Sequence, residues 1–106
     1  MLLAGIGLLF GQPGDRQASE MRAAEDAADI SRALTLRRLE AARAVETDGA
    51  LAVSTYSQAF RAAAIKGDWA AVCRYDDLAR MAADYLPARE TGRLGSFIDW
   101  LEAELA

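Results

Sequence analysis

The 106 residues carry 12 basic and 16 acidic side chains, for a net charge of −4, with no histidine and one cysteine. That length suits one domain with a small core. The acidic, well-mixed charge argues against a dedicated nucleic-acid binder, and the missing histidines and lone Cys73 remove imidazole acid–base chemistry, His/Cys zinc sites and an intrachain disulfide. No cofactor and no metal is expected, and the composition suits the cytoplasm.

The chain opens on an apolar run from Met1 to Gly11, MLLAGIGLLFG. No positive charge precedes it, as a secretory signal would require, and it is far short of the ~20 residues that span a bilayer, so no membrane partner is expected. Gly11-Gln12-Pro13-Gly14 reads as a hinge. The chain thus divides into a hydrophobic arm and hinge, residues 1–14, and a single helical domain, residues 15–106. The arm is either an element tucked over the domain's own core or a docking segment. In the second case Leu2, Leu3, Ile6, Leu8, Leu9 and Phe10 insert into a partner's groove, and the polar hinge favours this reading.

Asp15 or Ser19 is the expected cap of a long helix running to about Glu46 and closed by Asp48-Gly49, although Arg22 stands where a capping box needs Glu or Gln. Ala23, Ala27, Ile30, Leu34, Ala41 and Ala44 fall on one helical stripe, interrupted by Arg37. Alanine buries little area but lets helices approach closely. Such a helix leans on neighbours instead of building a core alone.

From Leu51 to Pro87 the sequence LAVSTYSQAFRAAAIKGDWAAVCRYDDLARMAADYLP reads as two amphipathic helices broken at Lys66-Gly67-Asp68. Gly67 can take the left-handed conformation that ends a helix, and Asp68 can cap the next one, giving an antiparallel αα-hairpin. Val53, Tyr56, Phe60 and Ala63 form one face; Trp69, Val72, Leu78, Ala79, Ala82 and Leu86 face them, with Tyr75 and Tyr85 nearby. Burial of a ring such as Phe60 is worth about 1.5–3 kcal/mol, so an aromatic cluster is expected to dominate the core. Cys73, among apolar neighbours, reads as a buried inert thiol. Pro87 is expected to end the hairpin, Arg89 to Gly95 to connect, and Ser96 to cap a short last helix with Phe97, Trp100 and Leu101 on one edge. The fold class is all-α: a long N-terminal helix, a central antiparallel αα-hairpin and a short C-terminal helix.

Asp76-Asp77 and Glu25-Asp26 are adjacent acids, which point in different directions on a helix and make no metal clamp by themselves. Arg32, Arg37, Arg38 and Arg43 give the long helix a local basic bias. It reads as solvation with surface pairs such as Glu40 to Arg37 or Arg43, or alternatively as weak phosphate contact multiplied by oligomerisation. No recognition helix suited to the major groove is visible. The Gly67-Asp68-Trp69 turn, with Val72 three residues on, resembles a tetratricopeptide hairpin, but a single copy cannot build a solenoid that needs about three repeats.

The segments Arg32–Glu46 (RALTLRRLEAARAVE) and Tyr56–Leu86, around the Lys66-Gly67-Asp68 turn, resemble in layout the small terminase subunits of tailed phages, above all the reduced forms in bacterial gene transfer agents. The resemblance implies a non-enzymatic DNA-packaging adaptor. Its homo-oligomeric ring would bury Ala23, Ala27, Ile30, Leu34 and Ala41 between subunits. It would bind double-stranded DNA weakly and without sequence preference through Arg32, Arg37, Arg38 and Arg43, and recruit a large terminase ATPase/nuclease, with the Met1–Phe10 arm as the physical candidate for that contact. The family's usual N-terminal helix-turn-helix has no counterpart here, so cognate-site recognition does not carry over. The competing class is a helical protein–protein adaptor or inhibitor with no nucleic-acid role.

Overall fold

A computed structural model describes residues 13–106, with side chains from Arg16 onward. The apolar arm lies outside the described residues. Four helices follow in order and no strand occurs among the described residues: α1 (Pro13–Asp48), α2 (Ala50–Lys66), α3 (Trp69–Glu90) and α4 (Leu94–Leu105). The all-α class, the long first helix, the central hairpin and the short last helix are as the sequence implies. The chain forms two compact units, residues 1–33 and 34–106.

In the first unit the helix starts at Pro13, whose fixed φ and missing N–H suit the first helical position. Pro13 and Gly14 are therefore helical and not part of a hinge. Ser19 lies inside the helix, where its Oγ accepts from Arg22 at 3.4 Å, so it is not the cap.

In the second unit, Leu39, Ala42 and Val45 of α1 cluster with Ala52 of α2, Ala82 of α3 and Leu94, Ile98 and Leu101 of α4. Leu78, Leu101 and Val45 are the largest side chains that are fully buried. This corrects the expected aromatic core. Tyr56, Tyr85 and Phe97 are only half-buried against the cluster, while Trp69 is 67% and Trp100 55% exposed. Alanines where the helices meet draw the backbones together, and the narrow space between them takes aliphatic side chains while rings line its margin.

The turns follow local chemistry. Gly49 (φ 60) ends α1, and the Arg89 Nε–H donates to the Glu46 carbonyl there at 3.5 Å, a cation at a helix C-terminus. Gly67 (φ 74) ends α2 with Asp68 N–H bonded to Ala63 O at 3.0 Å, and the Asp68 carboxylate accepts from Ala71 N–H at 3.2 Å. Two expectations fail at the next turn. α3 continues through Pro87 to Glu90, because the only helical carbonyl that a proline there deprives is that of exposed Ala83, where water can serve. Instead Gly92 (φ 74) closes α3, with Arg93 N–H to Ala88 O at 2.8 Å and Thr91 Oγ1–H to Pro87 O at 3.1 Å. The chain re-enters a helix at once, so α4 starts at Leu94, and Ser96 is no cap but a residue of its first turn. That early start puts Leu94 into the core.

Candidate functional site

Three features of the surface bear on function: the exposed face of α1, the arginines of its second half, and a groove on the hairpin. Along α1 every side chain from Ser19 to Leu34 is exposed. Met21 is 63% and Ile30 69% exposed, Leu34 lies at the margin, and Ala23 and Ala27 stand open between them. Ala41 does not belong to this surface. It is fully buried, because α1 is covered by the protomer's own helices from Leu39 to Val45. Four of the five stripe residues are thus available to a partner and the fifth is not.

The basic cluster is largely spent inside the fold. Arg37 donates to Asp77 of α3 at 2.6 Å, both side chains part-exposed, and Arg43 pairs with Glu102 of α4. Arg38 is half-buried close to Tyr85, and Arg32 is exposed. Glu40 pairs with neither Arg37 nor Arg43: its two carboxylate oxygens accept from Arg74 of α3 at 2.7 and 2.8 Å. That bond is the main reason the Arg74 guanidinium is held above its ordinary pKa. These three pairs tie α1 to α3 and α4, so two of the four arginines read as phosphate contacts, Arg37 and Arg43, are engaged in ion pairs between helices. Asp76 pairs within α3 with Arg80 at 3.0 Å. Among the described residues no group of acids and cysteine is placed to hold a metal.

Cys73 is exposed, not buried. It lies five residues from Leu78, roughly 140° around the helix, on the face away from the core. Burial raises the phenol pKa of Tyr56, helped by the Glu40 carboxylate and opposed by Arg74. Burial also raises that of Tyr85, which Arg38 opposes. Tyr85 meets Phe97 edge-on with centroids 5.0 Å apart, and Phe97 stacks on Trp100 at 6.2 Å, a short aromatic ladder running outward from the core margin.

The feature that sequence reasoning missed is the groove. Between α2 and α3, near their turn, a cleft of about 260 Å³ is walled by Ala59, Ala62, Ala63, Ala71 and Tyr75, with Lys66 and Asp68 also lining it. The alanine runs on either side of Gly67-Asp68 were the available signal: small side chains flanking a tight turn leave space between the two helices.

Comparison with protein families, with curated proteins and with solved structures gives no match. Among the described residues no helix is long and apolar enough to cross a membrane.

Proposed function

We propose that this chain is a non-enzymatic DNA-packaging adaptor of the small-terminase kind, assembling into a ring that binds DNA weakly and passes it to a large terminase ATPase/nuclease. The observation that carries the reading is the α1 surface that stands exposed among the described residues. A helix that keeps Met21, Ile30 and Leu34 in water over four turns is suited to burying them in an assembly. The unit 34–106, with its aliphatic core and cross-helix ion pairs, supplies a stable body for each subunit. With Arg37 and Arg43 engaged by carboxylates, DNA contact per subunit is small, and repetition around the ring supplies the avidity. The Met1–Phe10 arm recruits the motor.

Native mass spectrometry together with fluorescence anisotropy on unrelated duplexes tests this reading. A closed multi-subunit species is expected, with similar affinities for all duplexes that fall steeply with salt. A monomer at every concentration, or tight binding to one site at physiological salt, would refute it. The internal pairing of Arg37 and Arg43 favours a second reading, a helical protein–protein adaptor or inhibitor with no nucleic-acid role. That reading expects a monomer or dimer and no DNA retention even at low salt.

A further inference from the structure

Arg37, Glu40 and Arg43 recur every three residues along α1, a row that alternates basic, acidic, basic. It meets the opposite order of charges on its neighbours: Asp77 and Arg74 on α3, then Glu102 on α4. Each guanidinium of this border is thus matched by a carboxylate brought from another helix. The six side chains are from 32% to 57% exposed, so a phosphate can reach the guanidiniums without any helix leaving the core. What it meets there is a neutralised site.

We propose that Asp77 and Glu102 are built-in phosphate surrogates that hold down the affinity of Arg37 and Arg43 for the DNA backbone. This inference rests on the DNA-adaptor reading above and assigns the residues that keep its binding weak. Stability alone gives the pairs little reason to exist. The aliphatic cluster already joins α1 to α4, and ion pairs this exposed add little to the hold.

The chemistry is competition between like ligands. A carboxylate and a phosphate offer a guanidinium the same thing, anionic oxygens that accept from its N–H fork. The carboxylate is tethered in the same fold and pays no association entropy, whereas the phosphate must displace it or bind beside it. Displaced, the acid remains close by as a like charge. Removing one such charge about 4 Å from a bound phosphate is worth about fivefold in affinity under water-like screening. A guanidinium already neutralised also contributes less to counterion release than an unpaired one, so masking lowers the salt dependence together with the affinity.

Asp77→Asn combined with Glu102→Gln removes both charges at nearly constant shape. Fluorescence anisotropy on duplexes of unrelated sequence at low salt should show this variant binding at least about fivefold tighter than wild type, with a steeper fall as salt rises. Glu90→Gln with Glu104→Gln is the control: both acids are exposed, neither pairs with an α1 arginine among the described residues, and the net charge changes equally. It should gain less than about half as much, because distant charges are screened. Adding Arg37→Gln and Arg43→Gln to the first variant should abolish its gain. Wild type that binds DNA as well as the first variant does, or a control that gains as much, would overturn the masking and leave the DNA reading standing. No binding by wild type or by either variant at low salt would overturn both. Binding by the first variant alone would support masking in its extreme form. Should that variant melt far below wild type, Glu102→Gln on the more exposed pair carries the same comparison against Glu104→Gln.

Discussion

Trp100 and Leu101 are sequence neighbours with opposite expected contributions to stability. Leu101 is fully buried in the cluster that joins α4 to α1, while Trp100 is 55% exposed and touches Phe97 alone among the rings. Leu101→Ala deletes three carbon groups at about 0.8 kcal/mol each. The cavity left among Leu39, Val45 and Ile98 raises the total to roughly 3–4 kcal/mol. Against the ~5–15 kcal/mol that holds a domain together, this is a large loss. With a urea m-value near 1.5 kcal/mol/M it lowers the unfolding midpoint by about 2 M. Trp100→Ala gives up one stacked ring contact and part of an already wet surface, about 0.5–1.5 kcal/mol. Urea unfolding followed by circular dichroism at low micromolar concentration compares the two directly. If Trp100→Ala costs as much as Leu101→Ala, or Leu101→Ala costs under about 1 kcal/mol, the placement of α4 and the aliphatic core are refuted.

Asp68→Ala removes the side-chain cap of α3 and should cost about 0.5–2 kcal/mol, seen as a thermal midpoint lower by several degrees; an unchanged midpoint would contradict the cap. Gly67→Ala should cost about 1–2 kcal/mol from its left-handed backbone alone, since nothing lies within 4 Å of an added Cβ. Gly49→Ala should cost more, because its Cβ would stand 3.2 Å from Arg89 Nη1 and disturb the cation at the end of α1. Tyr56 and Tyr85 have folded pKa values raised chiefly by burial, so their contribution is whole below the ordinary phenol pKa and is lost as pH rises through the folded values. Urea midpoints should therefore fall as pH rises from the ordinary phenol pKa through the raised folded values, and Tyr56→Phe with Tyr85→Phe should flatten the fall. Native Cys73 should react with an aromatic disulfide reagent nearly as fast as in urea, and protection of more than about tenfold would place it back in the core.

What was legible in the sequence is what neighbouring residues settle. Gly67 and Asp68 specify their turn because a left-handed glycine and a carboxylate three residues before a free N–H act within one helical turn. Asp48-Gly49 ends α1 for the same kind of reason. Pro87 misled because a proline's local preference is only a preference: one exposed carbonyl lost its partner, and the rest of α3 ran on to a better stop at Gly92. Ser96 misled because a hydroxyl before an apolar run suggests a cap, whereas Leu94 gained more by burial. The groove escaped notice because it belongs to no residue; it exists only where two alanine runs stand opposite each other.

The four helices, two of their three turns and the absence of imidazole and disulfide chemistry follow from the sequence by itself, since backbone freedom, capping and composition are properties of short windows. Tertiary structure decided which faces those helices bury. Ala27 and Ala41 share one stripe, yet Ala41 is sealed inside and Ala27 is open, because among the described residues the helices packed on α1 cover its second half. Arg37 and Arg43 look alike in sequence to a phosphate-binding pair, yet their carboxylates arrive from Asp77 and Glu102, which the chain brings over only when it has folded. Burial and pairing depend on what covers a surface, and that cover is supplied by residues far along the chain.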